Sequence, residues 1–167
     1  MNAAVHVALQ IATSDEAVPP GVDWQAWVNT ALDAAQVDLR LAGCVTLRLV
    51  GRNESQHLNE MYRHQLGATN VLAFPGASDG ALPDTDRELG DLVICLPVVH
   101  DEAEAQGKAP LAHLAHLVVH GILHLAGFDH DEAAAAARME ALETRVMLEL
   151  GFPAPYESAG DEAINEG

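Results

Sequence analysis

HGILHLAGFDH, residues 120–130, sets His120 and His124 four positions apart. On a helix that spacing projects both imidazoles from one face, a turn apart. Gly127 predicts a left-handed stop that turns the chain back and brings His130 toward the same point. Three neutral imidazoles around one point make a metal site with a free fourth position. An open position marks a catalytic metal, since structural zinc is usually closed by four ligands. The helix reaches back to Leu111, so 111–126 is expected as one apolar helix. His113 and His116 lie on the same stripe, further from the glycine turn than it can reach, and read as partly buried or surface histidines. Four histidines between Leu111 and Phe128 also argue against a bilayer span.

Outward from this helix, short β-branched runs alternate with amphipathic stretches. Strands are expected at Val5–Ala12, Cys44–Val50, Asn70–Phe74 and Leu89–Leu96. A first helix is expected from Trp24 to about Gln36, and a second carries a stripe of Leu58, Met61 and Tyr62 through Arg63. Pro97 suits the first turn of a third, which Gly107 and Pro110 close. Asp131 can cap the last, whose buried stripe is Met139, Leu142, Val146 and Leu150 and which Gly151 ends. Residues 75–88 read as a solvated loop. The fold class is therefore α+β, a small mixed four-stranded sheet packed with about five helices. Residues 1–152 form one domain, and 153–167 an acidic tail expected to fray.

The chain has 167 residues, 49% of them apolar, enough for one ordinary core. Its 25 acidic residues against 8 Lys and Arg give a net charge of −17, which excludes a protein that coats nucleic acid with its whole surface. Only residues 40–78 run the other way, with Arg40, Arg48, Arg52 and Arg63 against Glu54 and Glu60. That stretch is either a local fluctuation or one face able to meet an anion. Cys44 and Cys95 are isolated thiols, which fits a reducing compartment. No Lys or Arg precedes Arg40, so the basic start of a secretory signal is missing. A cytoplasmic protein is expected.

The three-histidine spacing equals that of the metzincin peptidases, so the metal helix is zincin-like. At the position of the peptidase general base, however, stands Gly121, which has no proton acceptor. The run His120-Gly-x-Leu-His124-Leu-x-Gly127-x-Asp129-His130 instead resembles the signature of the YbeY family. Leu58-Asn59-x-x-Tyr62-Arg63 with Thr69-Asn70-Val71-Leu72-Ala73-Phe74-Pro75, and Gly90-Asp91-Leu92-Val93-Ile94, resemble two further blocks. Met139 and Glu143 match the types of the family's last helix. The likeness covers about residues 44–152. Ala73 stands where the family commonly has Ser and Phe128 where Tyr is usual, and Gln65–Ala68 lacks an acidic residue often found there.

The resemblance implies a metal-dependent, single-strand-specific endoribonuclease in ribosomal RNA maturation, including small-subunit 3′-end processing, and in ribosome quality control. It implies His120, His124 and His130 as metal ligands and Arg63 as a functional residue. One Zn2+ per chain is expected, although Ni2+ or another divalent transition metal also accepts imidazole. A guanidinium suits a phosphate because its fork donates two parallel hydrogen bonds; without the family match, Arg63 would read as a surface helix residue. Asp129 and Asp131 could orient a ligand histidine or simply shape the turn. Asn70 reads as a turn former rather than a cleft-facing residue at a strand end, Cys95 as a small buried hydrophobe rather than a fourth ligand, and Phe74 and Phe128 as core rather than as rings that stack a base. Expected partners are single-stranded ribosomal RNA and the ribosome or a basic ribosomal protein, with no membrane and no DNA. Two other readings stand beside this one. One is a non-catalytic assembly factor with a structural metal. The other is a zinc peptidase, against which Gly121 counts.

Overall fold

The computed structural model describes residues 5–13, 18–37, 43–76, 88–128 and 132–156. In chain order these form β1 (His6–Ile11), α1 (Trp24–Ala34), β2 (Cys44–Val50), α2 (Arg52–Arg63), β3 (Val71–Pro75), β4 (Glu88–Cys95), α3 (Leu96–Gln106), α4 (Pro110–Leu125) and α5 (Ala133–Glu149). The sheet order is β1-β2-β4-β3. β1, β2 and β4 run parallel, and β3 pairs antiparallel with β4 as an edge strand. The expected α+β class, with four strands and five helices among the described residues, is what the chain adopts.

Alternation along the strands divides the interior. Val45, Leu47 and Leu49 of β2 and Leu92 and Ile94 of β4 face a large core shared with α1, α4 and α5. The intervening Val50, Val93 and Cys95, with Leu72 of β3, face a smaller cluster that Leu58 of α2 and Val98 of α3 cover. Cys95 is fully buried there, as a small hydrophobe. The sheet is thus clad on both faces, α4 on one and α2 on the other.

α4 runs through the main core, burying Leu114, Ala115, Val118, Val119, Ile122 and Leu123. Its end follows from Gly127, which sits at φ +106. There the Gly127 N–H donates to the His124 carbonyl at 3.0 Å and the Phe128 N–H to the Leu123 carbonyl at 3.1 Å. This paired closure satisfies carbonyls that the helix end would leave bare, and needs the φ that glycine adopts without strain.

α2 differs from expectation. Met61 and Tyr62 are exposed, and its buried residues are Ser55 and Asn59. The reason is polar docking. The Ser55 hydroxyl donates to the Thr69 carbonyl at 2.9 Å and accepts from the Thr69 N–H at 3.0 Å. The Asn59 amide donates to the Gly67 carbonyl at 2.9 Å. Burying such groups is tolerable only when they are paired, and here they tie the loop before β3 to the helix. The first residue of α5 is Ala133, with Glu132 in the cap position and no side-chain cap bond. Asp131, the expected cap, lies outside the described residues. No described helix is long and apolar enough to cross a membrane.

Candidate active site

The outer edge of β3 borders an open cleft of about 650 Å³. Side chains along β3 alternate between the two clad faces, so the cleft draws on both. α2 contributes Tyr62 and Arg63, the β3 segment contributes Thr69 to Phe74, and α4 contributes His116, His120, Gly121 and His124. Among the described residues no carboxylate lines it, in a chain with 25 of them.

His120 is half-buried and His124 exposed, both opening on this cleft from one helix face. Behind them α5 supplies Glu143, whose side chain is 1% exposed. The His120 Nδ1 lies 2.9 Å from Glu143 Oε2. His116 Nε2 and the Tyr156 hydroxyl, the latter at 2.7 Å, both donate to Oε1. The Tyr156 ring meets His116 edge-on, with centroids 5.4 Å apart. Burial alone would raise the Glu143 pKa. The hydrogen bonds from His116, His120 and Tyr156 outweigh it and bring the carboxyl to about 2. The Tyr156 phenol is pushed upward by burial and by Glu143, and so remains a donor.

This arrangement bears on metal binding. A carboxylate that accepts from Nδ1 fixes the tautomer that leaves Nε2 of His120 as the lone-pair nitrogen, and it makes the ring a better ligand. Oriented imidazoles without thiolates suit a divalent transition metal. Among the described residues no group of three or more His, Cys, Asp or Glu is placed to hold an ion. His130, the third expected ligand, and Asp129 and Asp131 lie outside the described residues.

The structure therefore brings Arg63, His120 and His124 to one cleft. His116 joins them through Glu143. His113 is buried, its Nε2 2.9 Å from Glu102. Asn70 lines the cleft with its amide engaged at both ends, donating to Glu102 at 3.0 Å and accepting from the Val71 N–H at 2.6 Å. Phe74 packs on the rim of the smaller core cluster and also lines the cleft. It is half-buried and meets Tyr62 edge-to-face, with centroids 5.4 Å apart at 78°. Phe128 packs against the main core.

Sequence reasoning missed the role of Glu143. The signal was an acid in the apolar stripe between Met139 and Val146, a position where an unpaired charge is too costly to bury. It also missed Tyr156, within the stretch expected to fray; residues 157–167 lie outside the described residues. Gly121 gains a packing reason. A Cβ there would stand 2.7 and 2.9 Å from the two methyls of fully buried Leu92, so α4 approaches β4 too closely for a side chain.

A family model described as Endoribonuclease YbeY matches residues 10–151. An Endoribonuclease YbeY of Nitrosococcus oceani is 46% identical over 158 residues, covering 95% of this chain and 99% of that protein. One of Pseudomonas entomophila is 49% identical over 158 residues, covering 95% and 96%. One of Coxiella burnetii is 44% identical over 154 residues, covering 92% and 99%. Among solved structures, a Thermotoga maritima protein determined in solution superposes with a TM-score of 0.52 at 20% identity. It covers 86% of this chain and 91% of its own, a likeness of fold.

Proposed function

The chain belongs to the Endoribonuclease YbeY family, and from that premise we propose that it is a metal-dependent endoribonuclease acting on single-stranded ribosomal RNA. Its role on this reading is maturation of the small-subunit rRNA 3′ end and ribosome quality control in the cytoplasm. The observation that carries the reading is the cleft itself: Arg63, His120 and His124 meet where no described carboxylate intrudes. A polyanion finds there a concave surface whose described lining offers it a guanidinium and imidazoles and no carboxylate to repel it.

His120, His124 and His130 would hold one divalent metal, zinc by the precedent of imidazole sites. When bound, such a metal supplies Lewis-acid polarisation of a phosphate oxygen. Arg63 presents two parallel N–H donors to the non-bridging oxygens, whose charge grows as the phosphodiester is cleaved. Glu143 keeps His120 aligned without itself reaching the substrate. The rest of the surface, strongly acidic, suits a basic ribosomal protein better than naked RNA, so a ribosome-bound partner would deliver the strand.

The test is cleavage of a structured ribosomal RNA fragment by zinc-loaded protein, with His124→Ala purified in parallel. Cuts confined to single-stranded regions and absent with the variant are expected. Equal cutting by both proteins would trace the activity to a contaminant. Bound zinc without any cutting would favour the assembly-factor role.

A further inference from the structure

We propose that Tyr62, buttressed by Phe74, is a stacking platform for one unpaired base of the RNA strand, next to the phosphate that Arg63 holds. The inference rests on the ribonuclease reading and adds to it the group that selects single strands. Tyr62 is 62% exposed, yet its ring is set by the edge-to-face contact with Phe74. Phe74 is in turn packed on the cluster of Val50, Leu72, Val93 and Cys95. An aromatic ring that is both open and held offers a face at small entropic cost.

Its position matters as much as its exposure. Tyr62 and Arg63 are consecutive in the last turn of α2 and line the same cleft as His120 and His124. A phosphate on Arg63 therefore brings a neighbouring base to Tyr62. In a duplex every base is already stacked and paired, so none is free to occupy the ring. Every base has a π-face, which makes such a platform indifferent to sequence. Asn70, the nearby side chain best suited to reading a base edge, has both ends of its amide engaged within the protein. The ring thus selects for an unstacked nucleotide rather than for its identity.

The experiment measures fluorescence anisotropy of zinc-loaded protein with a short labelled strand of 2′-O-methyl uridines. A strand of the same length without bases keeps the phosphates and removes the π-faces. Tyr62→Ala is expected to bind the uridine strand about 5- to 150-fold more weakly than the parent, and the baseless strand equally well. Tyr62→Phe and Tyr62→Trp should keep parental binding, because the ring and not the hydroxyl acts. Met61→Ala, exposed on the same turn but outside the cleft lining, should bind as the parent does. On a cleavable strand the Tyr62→Ala loss should fall on KM, with kcat close to the parent.

Parental binding of the uridine strand by Tyr62→Ala overturns the platform. So does an equal loss on both strands, which would make Tyr62 a residue that only shapes the cleft. The two readings fail separately. Binding that depends on Tyr62 in a protein that cuts nothing removes the ribonuclease reading alone. Cleavage indifferent to Tyr62 removes the platform alone.

Discussion

Glu143 carries a charge where almost no water reaches it. A buried carboxylate survives only if its lone pairs are met, and here three donors from α4 and the C-terminal segment meet them. Glu143→Gln should therefore lower zinc affinity about 10- to 100-fold, read by competition with a chromogenic chelator. Tyr156→Phe removes one of the three donors and should cost about 1 kcal/mol of stability in urea unfolding. Arg63→Ala should keep the metal and the melting temperature and lose RNA cleavage. His113 makes a separate prediction. Burial lowers its pKa, against the opposing pull of Glu102, and its buried Nδ1 has no hydrogen-bond partner to take a second proton. A lowered pKa means that the unfolded chain binds protons first. Stability is then full above the ordinary value near 6.5 and falls as pH drops below it toward the folded pKa. His113→Gln should flatten that part of the curve of unfolding free energy against pH. The paired His120 and His124 were legible because the helical period alone sets their spacing. Glu143 was not, because its meaning lies in how α5 packs on α4.

Elements were read best where one periodicity ruled. Alternation in β2 and β4 gave the strands, and the stop at Gly127 was visible as a glycine after an apolar helix. α2 was read as a helix through Arg63, and Leu58 of its stripe does pack on the smaller cluster, but its most buried residues are polar: Ser55 and Asn59 serve the backbone of the following loop, while Met61 and Tyr62 look outward. Apolar spacing finds such a helix but cannot register the part of its face that docks through hydrogen bonds. The approach of α4 to β4 sets another prediction. Gly121→Ala forces a methyl onto Leu92 and should cost roughly 1–3 kcal/mol by overpacking, measured by chemical denaturation. A glutamate at 121, restoring the peptidase pattern, should fold less stably still. Hence the peptidase base is absent for a reason of packing as well as of chemistry.

Over the whole molecule a net charge of −17 surrounds a cleft whose described lining holds no carboxylate. Few phosphates can be neutralised there, so the slope of log affinity for single-stranded RNA against log salt should be shallow. Arg63→Ala should make it shallower by about 0.7, as anisotropy titrations at several salt concentrations would show. The charge imbalance was plain in the composition, but its arrangement around the β3 edge was not, since that edge exists only once α2 and α4 clad opposite faces of the sheet.

Glu143 and Tyr156 also have a place in time. All four strands and α4 precede them in the chain. During synthesis, sheet and imidazoles emerge first, with nothing yet to hold His120 in its tautomer. A chain broken off before α5 lacks Glu143 and Tyr156 together with Met139, Val146 and Met147 of the main core, so it has neither the support for His120 nor a closed interior. The order of synthesis thus leaves the support for His120 until last, and the centre is complete only when the final helix docks.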